Sequence, residues 1–146
     1  MNSKFVFTYF IVIMILLSCD NSVSDSNNQN ESSTELSIGS NINNSIQIQL
    51  SSSEDIAGFQ FALSGVTVTG ASGGLAAQYG FSVSSGESII IGFSFSGDII
   101  PSGSNGILTN ITVSEIFSSV CIDDVVFSNS NGEAIEVAVS EICLEY

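Results

Sequence analysis

From Leu36 onward the chain alternates apolar and polar residues with a period of two, interrupted by Gly, Ser and Asn. That period places the apolar side chains on one face of an extended strand. Ile46-Gln47-Ile48-Gln49-Leu50 sets three aliphatics against two glutamines, and Phe59, Phe61 and Leu63 oppose Gln60, Ala62 and Ser64. Val66 and Val68 alternate with Thr67 and Thr69. Ile89 and Ile91 lead into Phe93 and Phe95, with Ser94 and Ser96 in the other phase. Further runs hold Ile107, Ile111 and Val113, then Val120 to Phe127, then Ile135, Val137 and Val139. About eight to nine short runs with turn residues between them predict an all-β fold, an antiparallel β-sandwich. No window of 11 residues carries a helical period, and Ser114 to Ser118 reads as one turn of helix or a loop. Pro101, the lone proline, falls at a turn, where a residue without a backbone N–H belongs.

The stretch from Ile56 to Gly74 reads as two strands joined near Ser64-Gly65, burying Phe59, Phe61, Leu63, Val66 and Val68. Gly70, Gly73 and Gly74 would form the exit loop. A nucleotide-cradling glycine loop opens a helix and carries a lysine. Here Leu75 to Gly80 is too short for that helix and the lysine is missing, so the glycines shape turns.

Ahead of the strands the pattern is different. Lys4 precedes an apolar run from Phe5 to Leu17, 13 residues, shorter than the roughly 20 that span a bilayer. It reads as a secretory signal, residues 1–18. Leu16-Leu17-Ser18-Cys19 resembles the lipobox of bacterial lipoproteins, which implies that Cys19 is lipidated and becomes the mature N-terminus. Residues 19–35, rich in Ser, Asn and acids, bury too little to order themselves and read as a disordered tether. Such a tether reaches about 20–25 Å. The folded domain is expected over residues 36–146. The protein is thus expected to be exported and lipid-anchored to the cell envelope, in a bacterial membrane or at the cell surface.

Charge narrows the function classes. The sequence holds 15 acidic residues, one basic residue and no histidine, for a net charge of -14. The one cation is Lys4, so the exported chain has none. A polyanion neither neutralises phosphates nor adheres to anionic lipid, which excludes nucleic acid and leaves the anchor as the membrane contact. Without His, Lys or Arg there is no Ser-His-Asp arrangement, no Schiff base and no phosphate clamp. Carboxylate chemistry remains, but Asp123 and Asp124 are adjacent and point to opposite faces of a strand, so they form no glycosidase pair. No enzymatic activity is expected. No cofactor is expected either, with calcium the one ligand that oxygen donors alone leave open.

Cys121 and Cys143 flank Asn131-Gly132, a hairpin signal at the midpoint between them. Two thiols placed symmetrically about such a turn face each other across antiparallel strands. In an exported protein this predicts a disulfide.

With these runs in place, Ile46 to Val137 resembles the cohesin-like family of β-sandwich modules and is similar to carbohydrate-binding modules of the same jelly-roll architecture. The residues that carry the resemblance are Ile46 to Leu50, Gly58-Phe59-Gln60-Phe61, Gly92 to Phe95, Ile100 to Leu108 and Asn131 to Ile135. It implies a non-catalytic module whose partner is an extracellular protein or a polysaccharide, and the chain is expected to be a monomer. The small polar residues Gln60, Ser64, Thr67, Thr69, Ser94 and Ser96 suit contact with a protein and form the candidate binding face. Sugar-binding modules present aligned planar aromatics, and this chain has no Trp, with Tyr79 and Tyr146 as its tyrosines after Cys19. A purely structural surface role is the third expectation.

Overall fold

The computed structural model describes residues 33–140 and 142–146. The signal segment 1–18, the lipidation site Cys19 and nearly all of the tether lie outside the described residues. The strands are β1 (Thr34–Ile42), β2 (Ser45–Ser51), β3 (Gly58–Ser72), β4 (Ser82–Ser85), β5 (Ile89–Phe93), β6 (Asn105–Ser128), β7 (Ala134–Ile135), β8 (Val137–Val139) and β9 (Cys143–Glu145). A five-residue helix, α1 (Gly74–Gln78), follows β3. Among the described residues no helix is long and apolar enough to cross a membrane. β1 begins inside the expected tether, and Thr34 is buried there with its Oγ1 3.1 Å from Ser53 Oγ.

The hydrogen-bonded order is β4-β5-β3-β6-β2-β1-β8, and two long strands turn this single path into a sandwich. The first half of β3 pairs with β5 and with the second half of β6. The second half of β3 pairs with the first half of β6, which in turn pairs with β2. Between Ser64 and Val66 the register with β6 jumps from Cys121 to Ile116. Gly65 marks this corner with φ 77°. Before it the buried positions are Phe59, Phe61 and Leu63; after it they are Val66 and Val68. The extra residue reverses the alternation, so both halves keep their apolar face on the core. One layer is therefore β4, β5, the start of β3 and the end of β6. The other is the end of β3, the start of β6, β2, β1 and β8.

The expected all-β sandwich is the observed architecture, with nine strands among the described residues. Four local expectations need correction. β3 runs through Gly65 as one bent strand, because the glycine admits a bulge and the chain does not reverse there. Gly73 and Gly74, at φ 76° and 67°, start a helical turn where a loop was expected. Ser114 to Ser118 is part of β6, held by pairs such as Glu115 with Thr67 and Ile116 with Val66. The sheet is mixed, since β8 lies parallel to β1.

The core joins both layers: Leu36, Ile46, Ile48, Leu108 and Ile111 from one, Phe59, Phe61, Ile90, Ile122 and Phe127 from the other. Phe59 lies at its centre, with ring centroids of Phe61, Phe81 and Phe127 at 6.1, 6.0 and 5.8 Å. Gly92 on β5 faces the same ring, and a Cβ there would overlap it. Gly92→Ala is expected to destabilise the domain by about 1–3 kcal/mol through overpacking. Urea denaturation checks this, and adding Phe59→Leu should recover part of the loss, because the two sites share one space.

Candidate functional site

Gly92 decides which face of β5 meets solvent. Ile89-Ile90-Ile91-Gly92-Phe93 is apolar in both phases, and the phase holding the glycine must face the Phe59 ring. Ile90 and Gly92 are therefore buried, while Ile89, Ile91 and Phe93 point outward at 46, 40 and 40 % exposure. The expectation that these residues follow the core-facing phase is thus corrected. Phe95, expected on the same strand, lies in the turn beyond it, 83 % exposed.

The neighbouring strands set the rest of this outer face by register. Ile91 lies beside Ser84 of β4 and Gln60 of β3, and Gln60 lies beside Val126 of β6. Phe93 lies beside Ser82 and Gly58, and Ile89 beside Ala62, which is followed by Asp123. The result is a strip of three large apolar side chains along β5, bordered by serines on one side and by Gln60 and Ala62 on the other. Val126 adds a fourth exposed apolar residue. Isolated exposed hydrophobics are ordinary, whereas these three are aligned on one strand.

The six expected face residues do not come together. Gln60 and Ser64 share the outer face of the β5 layer, and Ser64 Oγ donates to Asp123 Oδ2 at 2.7 Å. Thr67 and Thr69 lie past the Gly65 corner, on the outer face of the other layer, and Thr69 Oγ1 donates to the Thr112 carbonyl. Ser94 and Ser96 are in the turn after β5, where Ser94 Oγ donates to Asp98 Oδ2 at 2.9 Å and accepts from Ser96 N–H. The polar residues were legible in the sequence; the apolar strip beside them was not. Its only signal was a run too apolar to assign to one face.

Two open concavities are formed among the described residues. One, about 570 Å³, is lined by Gln78, Tyr79, Gly80, Gly97, Asp98 and Ile99. The other, about 320 Å³, is lined by Ser53, Glu54, Asp55, Ser102, Asn129, Ser130 and Asn131. Among the described residues no three carboxylate or thiol groups converge as metal ligands. Asp55 Oδ1 accepts from Ser102 N–H, and Asn129 Oδ1 accepts from the N–H groups of Asn131 and Glu133, so these polar groups cap turns.

Cys121 and Cys143 are directly opposed on β6 and β9 and joined as a disulfide, with Cα atoms 4.0 Å apart. The expected terminal hairpin is split around it. β7 pairs with β6, β8 leaves to lie beside β1, and β9 returns to β6.

Neither a protein-family model nor a curated protein matches the sequence. Solved structures do. A type I cohesin from Clostridium thermocellum, solved in a cohesin–dockerin complex, is 13% identical, with a TM-score of 0.54 over 77% of this chain and 92% of that one. A non-cellulosomal cohesin from Archaeoglobus fulgidus is 19% identical, with a TM-score of 0.52 over 73% and 86%. The sixth cohesin of Acetivibrio cellulolyticus scaffoldin B, solved with a dockerin, is 16% identical, with a TM-score of 0.53 over 77% and 98%. By this likeness the chain has the cohesin fold, a β-sandwich of jelly-roll type.

Proposed function

We propose that this protein is a non-catalytic, exported binding module that receives a protein partner on the outer face of β4, β5, the start of β3 and the end of β6. The observation that carries the reading is the outward Ile89-Ile91-Phe93 strip, bordered by Ser82, Ser84, Gln60 and Ala62. Dockerins occupy two of the cohesins with this fold, which makes a dockerin-like protein segment the partner class. A sugar would want coplanar aromatic faces. Phe93 and Phe95 instead meet edge to face at 68°, with centroids 4.7 Å apart.

Affinity capture from the extracellular proteins of the source cells, run beside insoluble-polysaccharide pull-downs, tests the reading. A protein retained by the wild-type chain and lost with Ile91→Asp is the expected result. Retention on polysaccharide alone would transfer the module to the sugar-binding class, and no retention in either assay would leave a structural surface role.

The anchor is the second part of the proposal, resting on Leu16-Leu17-Ser18-Cys19. Mass spectrometry of the mature N-terminus should find Cys19 as the first residue, carrying lipid. An unmodified Cys19, or a chain retaining Met1, would contradict the anchor.

A further inference from the structure

We infer, building on the proposed protein-binding face, that its partner is a segment with an apolar centre and Lys or Arg at both ends. What borders the strip selects such a segment. From Ile89 to Phe93 the strand extends about 13 Å. At the Ile89 end, Glu87 is exposed two residues earlier, and Asp123 is exposed beyond Ala62 in the same cross-strand row. At the Phe93 end, Asp98 is exposed and held by Ser94 through the 2.9 Å hydrogen bond. Carboxylates therefore stand at both ends of one apolar strip, and no cation can neutralise them from within, since Lys4 is the only basic residue of the sequence.

This charge pattern selects the occupant. A second copy of the chain, net charge -14, would bring acid against acid around its own strip, which opposes self-pairing. A neutral apolar segment would cover the centre and leave the acids unopposed. A segment with cations at both ends pairs every rim charge, and rim pairs of this kind govern association rate and specificity more than raw affinity. On a helix, 13 Å corresponds to about nine residues, so the cations would stand about two to three turns apart.

A display library of 20-residue segments, selected against the full exported chain at low salt, tests this. Enriched segments should combine large apolar residues with an excess of Lys and Arg. Their dissociation constants should rise about tenfold or more between 50 and 500 mM NaCl. The triple variant Glu87→Gln, Asp98→Asn, Asp123→Asn should bind about 3- to 30-fold more weakly and lose most of that salt dependence, as exposed pairs do. Segments lost with Ile91→Asp, yet neutral or acidic and indifferent to salt and to the triple variant, would overturn the charge inference while leaving the face standing. Binding of no segment, or equal binding by Ile91→Asp, would overturn both.

Discussion

Gly65→Ala is expected to lower the stability of the domain by about 2–5 kcal/mol, a large share of a total that is typically about 5–15. Two effects add at this position. With φ at 77°, any residue carrying a Cβ sits in the left-handed region, which costs roughly 1–2 kcal/mol. The Cβ would also overlap the carbonyl oxygen of Ser119 on β6, and backbone cannot swing aside as a side chain can. Relieving that contact means opening the corner at which β3 and β6 pass from one layer to the other. Gly103 is the control, at φ 80° with nothing near its Cβ position. Gly103→Ala should show the conformational penalty alone, about 1–2 kcal/mol. Urea denaturation of the two variants separates the contributions. Equal losses would mean that the Gly65 corner tolerates a side chain and that the close approach of β3 to β6 is unimportant.

Cys121→Ser combined with Cys143→Ser should lower stability by about 3 kcal/mol, the chain-entropy value for a loop of this length. For a domain of this size that is a fall in Tm of roughly 10 °C. The physical reason lies in β9. It is three residues long, with Cys143 and Glu145 exposed and Leu144 half-buried, so side-chain burial holds it weakly. Three register pairs with β6 and two flanking backbone hydrogen bonds, Ile122 N–H to the Ile142 carbonyl at 2.8 Å and Tyr146 N–H to the Ser118 carbonyl at 3.1 Å, complete its attachment. The disulfide spans residues 121 to 143 and so closes the excursion in which β8 crosses to β1. Thermal melts of the double variant, and of wild type with reductant, should agree with each other. A loss below about 1 kcal/mol, well under the loop-closure value, would mean that the C-terminal segment is held by its packing instead.

How much was legible varies with the physics of each segment. Ile46 to Leu50 and Phe59 to Val68 show clean alternation, and there the sequence pattern matches the buried set residue by residue. β5 shows no such alternation. Its two phases are equally apolar, and the choice between them rests on the Phe59 ring, a contact no local pattern contains. Gly65 announces a break in either case. Whether the chain reverses or bends depends on β6, which shifts register opposite it. Val137 and Val139 alternate well enough for any neighbour, so pairing with β1 could not be separated from continuing the hairpin. The outer face of the β5 layer shares this history: Gln60 and Ser64 share it because their half of β3 alternates cleanly, the corner carries Thr67 and Thr69 to the other layer, and the Ile-Ile-Ile run left the phase of Ile91 open.

The most direct test of the account compares two aspartate substitutions on opposite layers, Ile91→Asp and Thr69→Asp, in the full exported chain. Both sites are exposed, and both variants should fold with wild-type circular dichroism. Binding to the captured protein partner, measured by biolayer interferometry, should fall at least about 100-fold with Ile91→Asp, the size expected for a central apolar anchor. Thr69→Asp should bind as wild type does. Loss with Thr69→Asp and retention with Ile91→Asp would place the binding surface on the other layer and contradict the account.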